Sequence, residues 1–169
     1  MQFHVTEGGG IAFRKIHPLL AELIRNIPHI VEPSNLSDAA EDRLYPEPSP
    51  DPDLDQMRSD WQAFVAPDLQ QHFQSTRDIV AADLRRLLQG EDNLFEITIP
   101  HQHTEAWLNV LNQVRLAMAA DIEIDDEAAL EALDADAHDL LTETGITAFR
   151  INLYATMQQC LVEFLDSNQ

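Results

Sequence analysis

A single cysteine, Cys160, excludes an internal disulfide and the cross-linked scaffold of small secreted domains. No window approaches the roughly 18 continuous apolar residues of a membrane span. The first ten residues, MQFHVTEGGG, lack the charged start and apolar run of a signal peptide. These absences point to the cytoplasm. Basic residues are as scarce: ten Lys and Arg stand against thirty Asp and Glu, a net charge of -20. Such a surface repels phosphate backbones, and the densest cationic group, Arg77, Arg85 and Arg86, is too small for a nucleic-acid footprint. Catalytic signatures are missing too, with no GxSxG, no HExxH and no dinucleotide fingerprint. The triple glycine Gly8-Gly9-Gly10 is not followed by the lysine and hydroxyl of a phosphate loop.

What is present suffices for one self-supporting core. A chain of 169 residues, 44% of them hydrophobic, can bury about 70% of its extended surface. The apolar pattern is mostly helical. At 100° per residue, Trp107, Leu111, Val114, Met118 and Ile122 fall in one narrow sector, with Leu108 at its edge. Leu116 points the opposite way between Ala119 and Ala120, so this helix needs neighbours on two sides and is central. Asn109 and Gln113 occupy the polar strip, and Asn112 and Arg115 sit on its shoulder. Arg115 reads as an aliphatic stem on the core with its head paired to a carboxylate, against a role facing a ligand or partner.

Before that helix, Gln2 to Val5 and Ile11 to Ile16 flank the glycines as a hairpin. His17-Pro18 opens a helix whose face carries Leu19, Leu20, Leu23, Ile24, Ile27, Ile30 and Val31, with Pro28 expected to bend it. From 33 to 53 periodicity vanishes, and Pro46, Pro48, Pro50 and Pro52 alternate among acids, which predicts a long acidic loop. Leu44 and Tyr45 are expected to pack down; the sharper reading makes them anchors for a docked partner. A helix from Asp53 to Ala66 places Leu54, Met57, Trp61, Phe64 and Val65 on one face, and Pro67 bends or restarts it. The next runs to Leu88 and stops at Gly90 as its cap, with Arg85 and Arg86 in its last turns. Phe95, Ile97 and Ile99 alternate with polar residues, a half-buried strand joining the hairpin in a small sheet.

Beyond the central helix, the tract from Asp121 to Asp139 reads as a short acidic surface helix through Leu130 and Leu133, capped by Asp125 or Asp126. It lacks the glycine and alternating ligands of a calcium loop. The final helix, about Thr147 to Asp166, carries Phe149, Leu153, Tyr154, Met157, Cys160, Leu161, Phe164 and Leu165 on a broad face. Cys160 on that face reads as a buried thiol, and Arg150 as a boundary ion pair or a partner contact. His101 and His103, with Glu105 nearby, are too few for a zinc site, so neither metal nor cofactor is expected.

Three stretches in order, Arg43-Leu44-Tyr45-Pro46, then Trp107-Leu108 with Leu111-Asn112 and Arg115-Leu116, then Tyr154, Gln158 and Leu161, resemble the actinobacterial family catalogued as domain of unknown function 2017. The resemblance covers nearly the whole chain. It departs where the family continues to a Leu-Gly segment, since residues 117 to 124 read AMAADIEI. Members are typically encoded near the adaptor that feeds substrates to the Clp protease, which implies a link to regulated proteolysis.

The expected architecture is mainly α: a single domain over residues 1–169, a helical bundle around a central helix at about 105–121, with a small N-terminal β-hairpin or sheet. The expected function is a non-enzymatic regulatory protein acting through a protein partner in stress response or Clp-linked proteolysis. The alternative is a transcriptional regulator working through a polymerase-associated protein or, less favoured, on DNA directly. Candidate partner-binding residues are Leu44, Tyr45, Asn112, Arg115 and Arg150. A homodimer stays open, and a small-molecule enzyme, the third reading, would be favoured by an ordered apolar pocket on which Asn112, Arg115 and a histidine converge.

Overall fold

The computed structural model describes residues 1–48, 55–90, 92–122 and 142–167. It is mainly helical with a small antiparallel sheet, as the periodicity predicts. The acidic tract with Leu130 and Leu133, and Leu54, Pro50 and Pro52, lie outside the described residues.

Strands β1 (Gln2–Val5) and β2 (Ile11–Ile16) form the hairpin. Gly9 takes φ 74° in its turn, and a Cβ on Gly10 would sit 2.6 Å from the carbonyl oxygen of Ile99, so both positions require glycine. Helices α1 (Pro18–Arg25) and α2 (Ile27–Ile30) follow, broken at Asn26. The cause is Pro28, whose ring would meet the carbonyl of Ile24 and whose nitrogen donates nothing. Leu19 leaves the predicted face and is exposed, because Ala21 and Ile24 set the buried direction of α1 and Leu19 lies about 140° round the helix from Ile24.

The stretch read as one long loop contains helix α3 (Asp38–Leu44). Ser37 caps it by accepting from the Ala40 N–H at 3.1 Å, and Asp38 and Glu41 suit its positive end. Helix α4 (Asp55–Asp60) passes through a π-turn at Trp61–Val65 into α5 (Ala66–Leu84). Ala66 N–H reaches back to Trp61 O, a widened turn that accommodates the ring of Pro67 without a break. The chain stays helical through this turn, and the α-helix restarts at Ala66 with Pro67 in its first turn, as the proline predicts. The helix ends earlier than expected, since Leu88–Gln89 forms strand β3. Gly90 belongs to the turn before β4 (Phe95–Ile99), donating to Leu94 O at 2.8 Å, and is not a helix cap. Arg85 and Arg86 consequently sit at and beyond the helix end.

The sheet order is β1-β2-β4-β3, every pair antiparallel, with a bulge between Phe13 and Ile16 that holds Lys15 at φ 53°. Helix α6 (Thr104–Asp121) is the hub, packed by α2, α3, α5 and the last helix, α7 (Glu143–Asp166). Trp107, Leu111 and Val114 are wholly buried, together with Ile11, Phe13, Ile97 and Ile99 of the sheet and Tyr154, Met157 and Leu161 of α7. Gln113, expected in the polar strip, is also buried, because neighbours on several sides leave α6 a narrower wet edge. Helix α7 starts about a turn before the predicted Thr147, capped by the Thr142 hydroxyl accepting from Gly145 N–H at 3.0 Å.

Candidate functional site

The predicted partner-binding residues do not gather in one place. Leu44 is part of the core and presents no side chain to a partner in this fold. Tyr45 is half-buried, its ring 5.4 Å from that of Phe73, and burial raises its phenol above the ordinary value, offset by Arg77. Asn112 is exposed on α6. Arg115 donates from NH1 to Gln158 Oε1 at 2.7 Å, so its head meets an amide on α7 where a carboxylate was expected. Arg150 lies against the Tyr154 hydroxyl, in the second turn of α7. It lines a cavity of about 600 Å³ with Asn26, His29, Asn35, Asp121 and Glu143. Neither Asn112 nor Arg115 lines that cavity.

A buried polar centre that sequence reasoning missed lies at the junction of α5 and α6. Asp83 is wholly buried; its carboxylate accepts from Trp107 Nε1 at 3.0 Å, from Arg86, and from His103 Nδ1 at 2.9 Å. Three donors offset the cost of taking one charge from water, and the result is a clamp between two helices. One carboxylate among thirty carries no pattern, so its only sequence signal was Arg86 at i+3. His103 thus turns inward, while the His101 ring lies 5.6 Å from Phe164. The two imidazoles serve different contacts. Among the described residues no group of three or more His, Cys, Asp or Glu side chains is arranged to hold a metal ion.

The surface that does stand out is the arm formed by α4, the π-turn and the start of α5. Of the apolar residues that periodicity assigns to this arm, those described are largely uncovered. Phe64 is 71% exposed, Val65 49% and Met57 47%, with Trp61 half-buried beside them. The arm is tied to the stretch before it: Arg58 pairs with Glu47 at 3.4 Å and, within α4, with Asp55 at 3.4 Å, and Gln62 donates to Glu47 Oε1 at 2.9 Å. Glu47, from the proline-rich stretch, thereby meets the arm at two side chains. Solvated single hydrophobes are ordinary, whereas three large ones on one helical face are the usual mark of a contact surface.

Among the described residues no helix is long and apolar enough to cross a membrane. No curated protein and no solved structure matches the chain. A family model matches residues 11–165, from the second strand through nearly the whole last helix. The stretches that carried the resemblance meet in the fold, with Arg115 on Gln158 and Tyr154 packed in the same core as Trp107. The chain belongs to the family described as domain of unknown function (DUF2017).

Proposed function

We propose that this protein is a non-enzymatic regulator that works by docking the outward face of its α4–α5 arm, Met57, Phe64 and Val65, onto another protein. The observation that carries this reading is Phe64, 71% exposed on an arm that Arg58 and Gln62 tie to Glu47. Several chemically capable groups are engaged internally: Asp83 with His103 and Trp107, Arg115 with Gln158, and Cys160 in the core. Three aspartates, Asp55, Asp60 and Asp68, border the face, so it suits a partner with an apolar groove and a basic rim. Regulated proteolysis or stress response is the process the family resemblance suggests.

A photo-crosslinking amino acid placed at position 64 in living cells tests the reading. One discrete, reproducible protein adduct is expected, absent when the same amino acid replaces the exposed Gln71 on the neighbouring stretch. Equal, diffuse labelling from both positions would contradict it.

A further inference from the structure

The sheet has an edge that the helices leave bare. β1 is the outermost strand, and its Phe3 and Val5 are 48% and 54% exposed. Their cross-strand partners, Phe13 and Ile11, are wholly buried. Paired residues share a sheet face, so the apolar floor of the core runs on past its helical cover onto β1. The phase of the hairpin decides where the main-chain groups of β1 go. Thr6 N–H donates to Gly10 O at 2.8 Å. By alternation Gln2 and His4 also turn their backbone groups to β2, and Phe3 and Val5 turn theirs off the open edge.

Natural edges are blunted by lysine, proline or a bulge. β1, QFHV, has none of these; the bulge lies between β2 and β4. The opposite edge, β3, is only Leu88–Gln89, too short to receive a strand of this length. We propose that β1 pairs antiparallel with β1 of a second copy of this chain, joining two sheets across a two-fold axis at His4.

The register is self-complementary. With His4 opposite itself, Phe3 stands opposite the partner subunit's Val5 and Val5 opposite the partner subunit's Phe3. These are the residues whose backbone groups are free, so they form narrow pairs with roughly four N–H···O bonds in all. Their side chains meet on the same face as aromatic and β-branched pairs, a favourable combination. An edge without acidic residues suits self-association of a chain with net charge -20. β1 has no acidic residue, and the chain's single lysine, Lys15, is exposed at the end of β2 beside the start of β1. The register sets Glu7 of each copy at the end of the joined sheet that carries Lys15 of the other.

Sedimentation velocity of the full chain in reductant, from micromolar to several hundred micromolar, tests the proposal. The wild type is expected to move from the mass of one chain to that of two. Val5→Pro removes an outward N–H and leaves the β2 ladder intact, while Phe3→Lys places charge on the edge. Each is expected to raise the dimer dissociation constant about tenfold or more with the near-ultraviolet spectrum unchanged. Phe64→Asp is expected to leave the dimer as it was. In the wild type the Phe3 and Val5 amides should exchange more slowly at high than at low concentration, a readout independent of any variant's folding. A wild type that keeps the mass of one chain throughout would overturn the proposal. So would a dimer that Phe64→Asp dissolves and Phe3→Lys does not, or concentration-independent exchange at both amides.

Discussion

The Asp83 carboxylate on α5 accepts the indole N–H of Trp107 on α6 at 3.0 Å, joining a wholly buried charge to the largest buried side chain of the hub helix. Removing the carboxylate strands the indole donor in a dry interior and frees Arg86 and the His103 Nδ1. Asp83→Ala should cost about 2–4 kcal/mol of stability, and Asp83→Asn, which keeps an oxygen acceptor, distinctly less. Urea unfolding followed by tryptophan emission measures both. A loss below about 1 kcal/mol for Asp83→Ala would show that the clamp is not structural.

Tyr154 is wholly buried and donates its hydroxyl to Leu23 O at 2.9 Å, tying α7 to α1. Burial raises its phenol above the ordinary value near 10, partly offset by Arg150. With a folded-state pKa above the unfolded one, the contribution is fully present below about pH 10 and is lost as pH rises through the folded value. Tyr154→Phe should cost about 1 kcal/mol at neutral pH and lose less stability than the wild type above about pH 10. Tyr45 shifts the same way, so some alkaline loss should persist. Parallel alkaline profiles for the two proteins would contradict this assignment.

Cys160 packs on the core face of α7, and burial, with Glu163 adding to it, raises its thiol above the ordinary range. The thiolate is the reactive form, so native protein at neutral pH should react with a disulfide reagent on the order of a hundredfold more slowly than unfolded protein. Complete native labelling within seconds would place the thiol at the surface.

The arm and the hub should respond oppositely to mutation. Phe64→Asp removes no core contact and should change stability by no more than about 0.5 kcal/mol, whereas Trp107→Ala should cost about 3–5 kcal/mol. Thermal or urea melts of the two variants settle the contrast. A large loss for Phe64→Asp would mean that its ring is a structural contact after all.

Legibility in the sequence followed the strength of local pattern. The Trp107 stripe and the Phe95, Ile97, Ile99 alternation were read directly, because burial on one face writes a period into the residues. Helix α3 was hidden because it is only 7 residues long and lies between Pro33 and the prolines at 46 and 48, a composition that argues for a loop. The end of α5 was misplaced because Gly90 looks like a helix cap, and only pairing with β4 reveals its place in a turn. Asp83 was invisible among thirty acids, since its role depends on Trp107, 24 residues away. For the candidate site the lesson is narrower. Periodicity placed Met57, Phe64 and Val65 on one face, but a period cannot say whether a neighbour covers that face.

The most direct test of the docking account compares recovery of the crosslinked partner by native wild-type protein and by Phe64→Asp, with equal amounts and intact folds. The account predicts that the variant recovers less than about a tenth of the wild-type amount, the effect of losing one central aromatic anchor. Equal recovery by the two proteins would contradict it.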